Sequence, residues 1–97
     1  MKLTRAFVYI VSNKNKTTFY IGMTNDLERR MKEHQTGEGS IFTGKYKLFE
    51  LVYFEICADI KTAIRREKQL KRWHREWKIN LIKTINPELK NLAQDWK

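Results

Sequence analysis

The stretch Tyr20-Ile21-Gly22-Met23-Thr24-Asn25-Asp26-Leu27-Glu28-Arg29-Arg30-Met31-Lys32-Glu33-His34 decides the fold. It reads as the end of a strand, a tight turn and a helix. Gly22 follows aromatic and β-branched residues, where a glycine ends a strand or admits a close backbone neighbour. Asn25 is the expected N-cap, with Glu28 three residues later as in a capping box. Asp26 and Glu28 suit the positive end of a helix dipole. Leu27, Met31 and His34 fall at i, i+4 and i+7, one helical face. Arg30 lies four residues before His34, so the two are neighbours at the edge of that face.

Working outward, Ala6–Val11 is an apolar run of strand-forming residues and Ser12–Thr17 a polar turn. A hairpin centred on Lys14-Asn15 places Tyr9 opposite Tyr20, so that both phenols share a face of the sheet. A first helix runs over Asp26–Gln35, and Thr36-Gly37-Glu38-Gly39-Ser40 breaks it. Ile41–Lys47 reads as a loop of interleaved aromatic and basic residues. Phe42 is expected to fold onto the core, while Lys45, Tyr46 and Lys47 either lie against a phosphate backbone or a base or belong to a loop that packs on the core. Leu48–Cys57 is the longest strand, and its apolar composition predicts a central strand covered on both faces.

Asp59 is a good N-cap for a second helix reaching Trp73 or beyond. Its inward stripe is Ile60, Ala63, Ile64, Glu67 and Leu70, extending to His74 if the helix runs on, with Lys61, Arg65, Lys68, Arg72 and Arg75 outside. A third helical stretch spaces Trp77, Leu81 and Ile82 for burial, and Asn86-Pro87 ends it. Trp73, Trp77 and Trp96 are expected to pack in the core or at its rim, with stacking on a base as the lesser alternative. The order ββαβαα predicts an α+β domain, a small three-stranded antiparallel sheet flanked by about three helices. Residues 1–97 are expected to form that one domain.

The 97-residue chain carries 20 Lys and Arg against 11 Asp and Glu, a net charge of +9. From Lys61 to Lys83 there are nine Lys or Arg and two acids. Such a chain seeks polyanions, nucleic acid first and anionic membrane second. No transmembrane run or signal peptide is evident, which leads us to expect a cytoplasmic protein. The single Cys57 fits a reducing compartment and plain packing. One Cys and two scattered His cannot supply a closed zinc set.

Glu67 is the most informative residue, an acid on the inward stripe of the most basic helix. It needs a counterion, either Arg30 or a base on its own helix, or else a metal. Arg30 has the planar fork that grips a phosphate. His34 exchanges protons near neutral pH unless it merely caps the helix dipole. Tyr9 and Tyr20 are packing residues singly and site candidates together. Arg65, Lys68, Lys71 and Arg72, with Lys45 and Lys47, are candidates for backbone contact with a nucleic acid.

Together these residues resemble the GIY-YIG nuclease family. Tyr20-Ile21-Gly22 matches the second element, and Val8-Tyr9-Ile10 stands where the first belongs, with Phe7 in place of the name-giving glycine. Thr24, Arg30 and His34 follow the pattern, and Arg66–Trp73 resembles the family's glutamate-bearing helix. Asn86-Pro87 and Leu92 resemble the tail of the small single-domain bacterial branch. The resemblance extends to the N-terminal domain of the excision-repair nuclease subunit and to homing-endonuclease catalytic domains. It implies a metal-dependent DNA endonuclease, acting in repair or recombination. Glu67 is then the ligand of Mg²⁺ or Mn²⁺, Tyr9 the base assisted by His34, and Arg30 and Tyr20 the groups that steady the phosphate. The alternative is a nucleic-acid-binding protein, for DNA or RNA, with a silent site. A protein partner or a homodimer fits either reading.

Overall fold

The computed structural model describes residues 5–36 and 41–96, without the side chains of Ile41 and Phe42. The expected glycine break at 37–40 and the packing of Phe42 lie outside what is described. The elements are β1 (Ala6–Ser12), β2 (Phe19–Thr24), α1 (Leu27–Gln35), α2 (Ile41–Lys45), β3 (Glu50–Cys57), α3 (Ile60–Lys71) and α4 (Arg75–Lys83). The three strands form one antiparallel sheet in the order β2-β1-β3. The fold is α+β, and the short helix α2 occupies part of the stretch expected as a loop.

The hairpin register differs from the expected one. Tyr9 stands opposite Gly22, and Tyr20 opposite Val11. The turn moves one residue along because Lys16 takes a left-handed φ of 59° and the Asn13 side chain gathers the turn, accepting from Thr17 N at 2.8 Å and Thr18 N at 3.1 Å. Moving the centre by one residue shifts the pairing by two, which preserves the facing of every side chain. Tyr9 and Tyr20 therefore still share a face, as diagonal neighbours.

The central strand is β1, not β3. Six of its seven residues are buried. The apolar composition of β3 has another origin: its outer edge is closed by the C-terminal segment. Leu92 N donates to Leu51 O at 2.7 Å, and Leu51 N donates to Asn91 Oδ1 at 3.1 Å. Buried Asn86 donates through Nδ2 to Val52 O at 2.9 Å and to Lys90 O at 2.8 Å, and accepts from Lys90 N at 3.0 Å. Val52 lies where the β1–β3 register shifts.

Two apolar clusters fill the two sides of the sheet. Tyr9, Val11, Leu27, Met31, Leu48, Leu51 and Ala93 pack on the α1 side. Val8, Ile10, Ile21, Val52, Ala63, Leu70 and Ile82 pack on the α3 and α4 side. The N-cap of α1 is Asp26 rather than Asn25: its Oδ1 accepts from Arg29 N at 3.1 Å, while Asp26 N donates to Thr24 Oγ1 at 3.1 Å. Asp59 caps α3 as expected, accepting from Thr62 N at 2.8 Å.

The inward stripe of α3 is narrower than the sequence suggests. Ala63 and Leu70 are buried, whereas Ile60 and Ile64 lie at the rim, 41% and 37% exposed. On the opposite flank Arg66 grips Glu55 of β3 through two bonds, Nε–Oε1 at 2.9 Å and Nη2–Oε2 at 3.1 Å. Tyr53 Oη donates to the same carboxylate at 2.5 Å. This fork ties α3 to β3. On α4, Ile82 is buried and Trp77 is exposed, contrary to expectation. The two are five residues apart, or roughly 140° around the helix. None of the helices among the described residues is long and apolar enough to cross a membrane.

Candidate active site

Tyr9 projects from the middle of β1 beneath α1. Its ring lies directly over Gly22: a Cβ at that position would fall 2.6 Å from Tyr9 Cζ. Glycine is required there by close approach, since only a residue without a side chain leaves room for the phenol. The Tyr9 oxygen is 3.1 Å from His34 Nε2, and His34 Nδ1 is 3.1 Å from Thr43 Oγ1 at α2. Tyr9, His34 and Thr43 are all buried. Both ring nitrogens of His34 are thus bonded, and a neutral imidazole has one donor and one acceptor. The chain runs from Tyr9 through His34 to Thr43 or the reverse.

Burial, reinforced by the Arg30 guanidinium, lowers the His34 pKa to about 4. This histidine is neutral at pH 7, which corrects the expectation of a group titrating near neutrality and its alternative as a dipole-stabilised cation. Desolvation likewise raises the Tyr9 pKa above that of an ordinary phenol, with Arg30 opposing and Tyr20, Glu67 and Glu33 reinforcing. Tyr9 is a protonated phenol in this state. The Tyr20 ring meets His34 edge to face, with centroids 6.3 Å apart.

Arg30 reaches toward Glu33, with Nε 3.4 Å from Oε1, but the pair lacks hydrogen-bond geometry. Its Nε is buried with no hydrogen-bond partner. A guanidinium N–H left in this condition beside a phenol suits an anionic oxygen. Glu67, on α3, is paired with Lys71 on its own helix at 3.5 Å, and its side chain is 19% exposed. Of the two counterions considered, the helical neighbour is the one present. The described residues contain no group of three or more His, Cys, Asp or Glu poised for a metal. A lone, partly exposed carboxylate with a loose counterion fits Mg²⁺, which keeps its waters and shares phosphate oxygens.

Tyr20, Arg30 and Glu67 thus all lie within electrostatic reach of Tyr9, to which His34 is hydrogen-bonded. The candidate backbone-contact cations lie on exposed surface, and one of them, Lys71, joins the cluster through its ion pair with Glu67. Arg65, Lys68, Lys71 and Arg72 line α3, and Lys45 and Lys47 flank Tyr46, with Lys45 Nζ 5.6 Å from its ring centre. Sequence reasoning missed Thr43 and Glu33. Thr43 lies nine residues from His34 across a stretch without helical period, so no spacing rule links them.

A model of the GIY-YIG catalytic domain matches residues 5–80. The chain belongs to the GIY-YIG family. Two UPF0213 proteins extend the match. That of Syntrophus aciditrophicus is 34% identical over 89% of this chain and 98% of its own. That of Haloquadratum walsbyi is 41% identical over 77% and 83%. The solution NMR structure of a UPF0213 protein from Bacillus halodurans superposes with a TM-score of 0.57 at 28% identity, covering 94% of this chain and 97% of that one. The GIY-YIG match spans β1 through most of α4, so the whole cluster described above lies inside it. Membership implies a nuclease fold and nucleic-acid binding in general.

Proposed function

We propose that this chain is a metal-dependent endonuclease that hydrolyses phosphodiester bonds in DNA. The observation that carries this reading is the buried Tyr9–His34–Thr43 hydrogen-bond chain, set within the charge of Arg30 and Glu67. A DNA-binding surface needs no such chain and no inward acid that repels phosphate.

Arg30, whose side chain is partly exposed, takes a non-bridging phosphate oxygen on its guanidinium and stabilises the charge that grows there. Tyr20, on the same face, steadies the water and phosphate. His34, held neutral and fixed from behind by Thr43, binds the Tyr9 hydroxyl and turns its lone pairs toward the attacking water. Tyr9 first releases its own proton to solvent, an ionisation that the Arg30 charge favours, and the phenolate then accepts the attacking water's proton. A divalent cation on Glu67 supplies further positive charge when bound, favouring the phenolate and neutralising the leaving oxygen. Lys45, Lys47, Arg65, Lys68, Lys71 and Arg72 hold the phosphate backbone.

The test is cleavage of supercoiled, branched and single-stranded DNA by the native protein and by Glu67→Gln, with Mg²⁺ or Mn²⁺ and with chelator. Cutting by the native protein with metal alone, together with binding but no cutting by Glu67→Gln, is the expected result. Equal binding and no cutting by either would overturn it in favour of a silent site.

A further inference from the structure

We infer that the groove formed where α3 meets α4 is a platform for an unpaired DNA strand, with Trp77 stacking on a base and Arg65, Lys68 and Arg72 holding the adjoining phosphates. The inference rests on the nucleic-acid reading above and deepens it, since it names the form of the substrate.

The groove is lined by Arg65, Lys68, Gln69, Arg72, Trp73 and Trp77. It carries three cations and no acid. Arg65, Lys68 and Arg72 recur at i, i+3 and i+7, so the charges form one row along the outer face of α3. Trp77 is 55% exposed, an unusual position for so large an apolar ring. Its neighbours brace it at their edges: Trp73 with centroids 6.0 Å apart at 85°, and His74 at 5.3 Å and 85°. The guanidinium of Arg66 lies 5.4 Å from the Trp73 ring centre and backs that ring from the sheet side. The result is a braced indole beside a row of cations, the arrangement by which proteins hold single strands.

The chemistry selects among occupants. A duplex offers phosphates but keeps its base faces stacked inside. An acidic peptide satisfies the cations and gives the indole no flat partner. An unpaired strand supplies both at once. Lys68 follows Glu67 directly on α3, so a strand seated in this row leads to the helix that carries the catalytic carboxylate.

The experiment measures binding of the full chain to a single-stranded oligonucleotide and to a blunt duplex of the same sequence, in chelator, by fluorescence anisotropy. Trp77→Ala is expected to weaken single-strand binding by roughly 5- to 150-fold, the equivalent of about 1–3 kcal/mol for one stacked base, and to leave duplex binding unchanged. Trp77→Phe retains part of the affinity. The indole fluorescence that the strand quenches in the native protein is lost in Trp77→Phe, a second readout if the alanine variant folds poorly. Equal losses on both DNAs, or none, would overturn the platform. Failure of every form to cut DNA would sink the nuclease reading and leave the platform standing. Cutting by a Trp77→Ala protein that binds single strands normally would sink the platform alone.

Discussion

At Gly22 a single methyl group decides whether the site exists. Because the Tyr9 ring occupies the space of the missing side chain, Gly22→Ala must displace the phenol or the strand. The expected cost is about 1–3 kcal/mol of stability, as for other overpacked cores. Cleavage is expected to be lost well beyond what unfolding explains. Denaturant melts beside nuclease assays check both. Tyr9→Phe keeps the packing and removes the oxygen, with an expected fall in rate of roughly 10²–10⁴-fold, the usual contribution of a general base. In the proposed mechanism Tyr9 ionises to act, so the native rate is expected to rise with pH through the neutral range. His34 leaves a separate signature in stability. Its folded pKa of about 4 lies below the ordinary 6.5. Between those values the unfolded chain binds a proton that the native chain does not. Stability is therefore fully present above pH 6.5 and falls as pH drops toward 4, by roughly 3 kcal/mol in all. Urea melts across this window, compared with His34→Gln, are expected to show the difference flattening. The five residues of the cluster were legible as residue types in an ordered motif. Their protonation was not, because burial sets it and spacing does not report burial.

At the scale of elements, the segment after α4 acts as the outer neighbour of β3. Asn86→Ala removes bonds to Val52 O and to both Lys90 backbone groups, leaving buried polar atoms unpaired. A loss of about 1–3 kcal/mol is expected, with faster hydrogen exchange at the Leu51 amide as the tail loosens. An exposed strand edge is also a template for pairing with another chain, so light scattering is expected to rise on heating. Most elements could be read from the sequence, since Asp59 caps α3 and Leu27, Met31 and His34 form one buried face. The order of the strands could not. β3 is as apolar as a central strand because the tail and both layers cover it, and hydropathy does not distinguish cover by a strand from cover by a coil. The tie between α3 and β3 was hidden for a related reason: Arg66 reads as one more surface cation until Glu55 is placed opposite it.

For the whole molecule, charge sets the terms of binding. With a net charge of +9, much of it on α3 and α4, affinity for DNA is expected to fall linearly on a log–log plot against salt. The slope is about −0.9 per phosphate neutralised on duplex and about −0.7 on a single strand. Replacing Lys68 and Arg72 by Gln is expected to reduce the slope by roughly two such steps, measured by titration at several salt concentrations. An unaltered slope would place the DNA on another face. The excess of cations was plain in the composition; their alignment beside an exposed indole required the turn between α3 and α4.

Because the phenol of Tyr9 finds room only opposite the one β2 residue without a side chain, the hairpin carries its own proofreading. A pairing slipped by one residue in either direction sets Tyr9 against Ile21 or Met23, where the ring has no berth. Such a chain would retain strands, charge and affinity for DNA while lacking the buried imidazole contact. On the proposed nuclease reading, turnover per refolded molecule, set against DNA bound per molecule, therefore counts the chains whose first two strands have paired in the native frame.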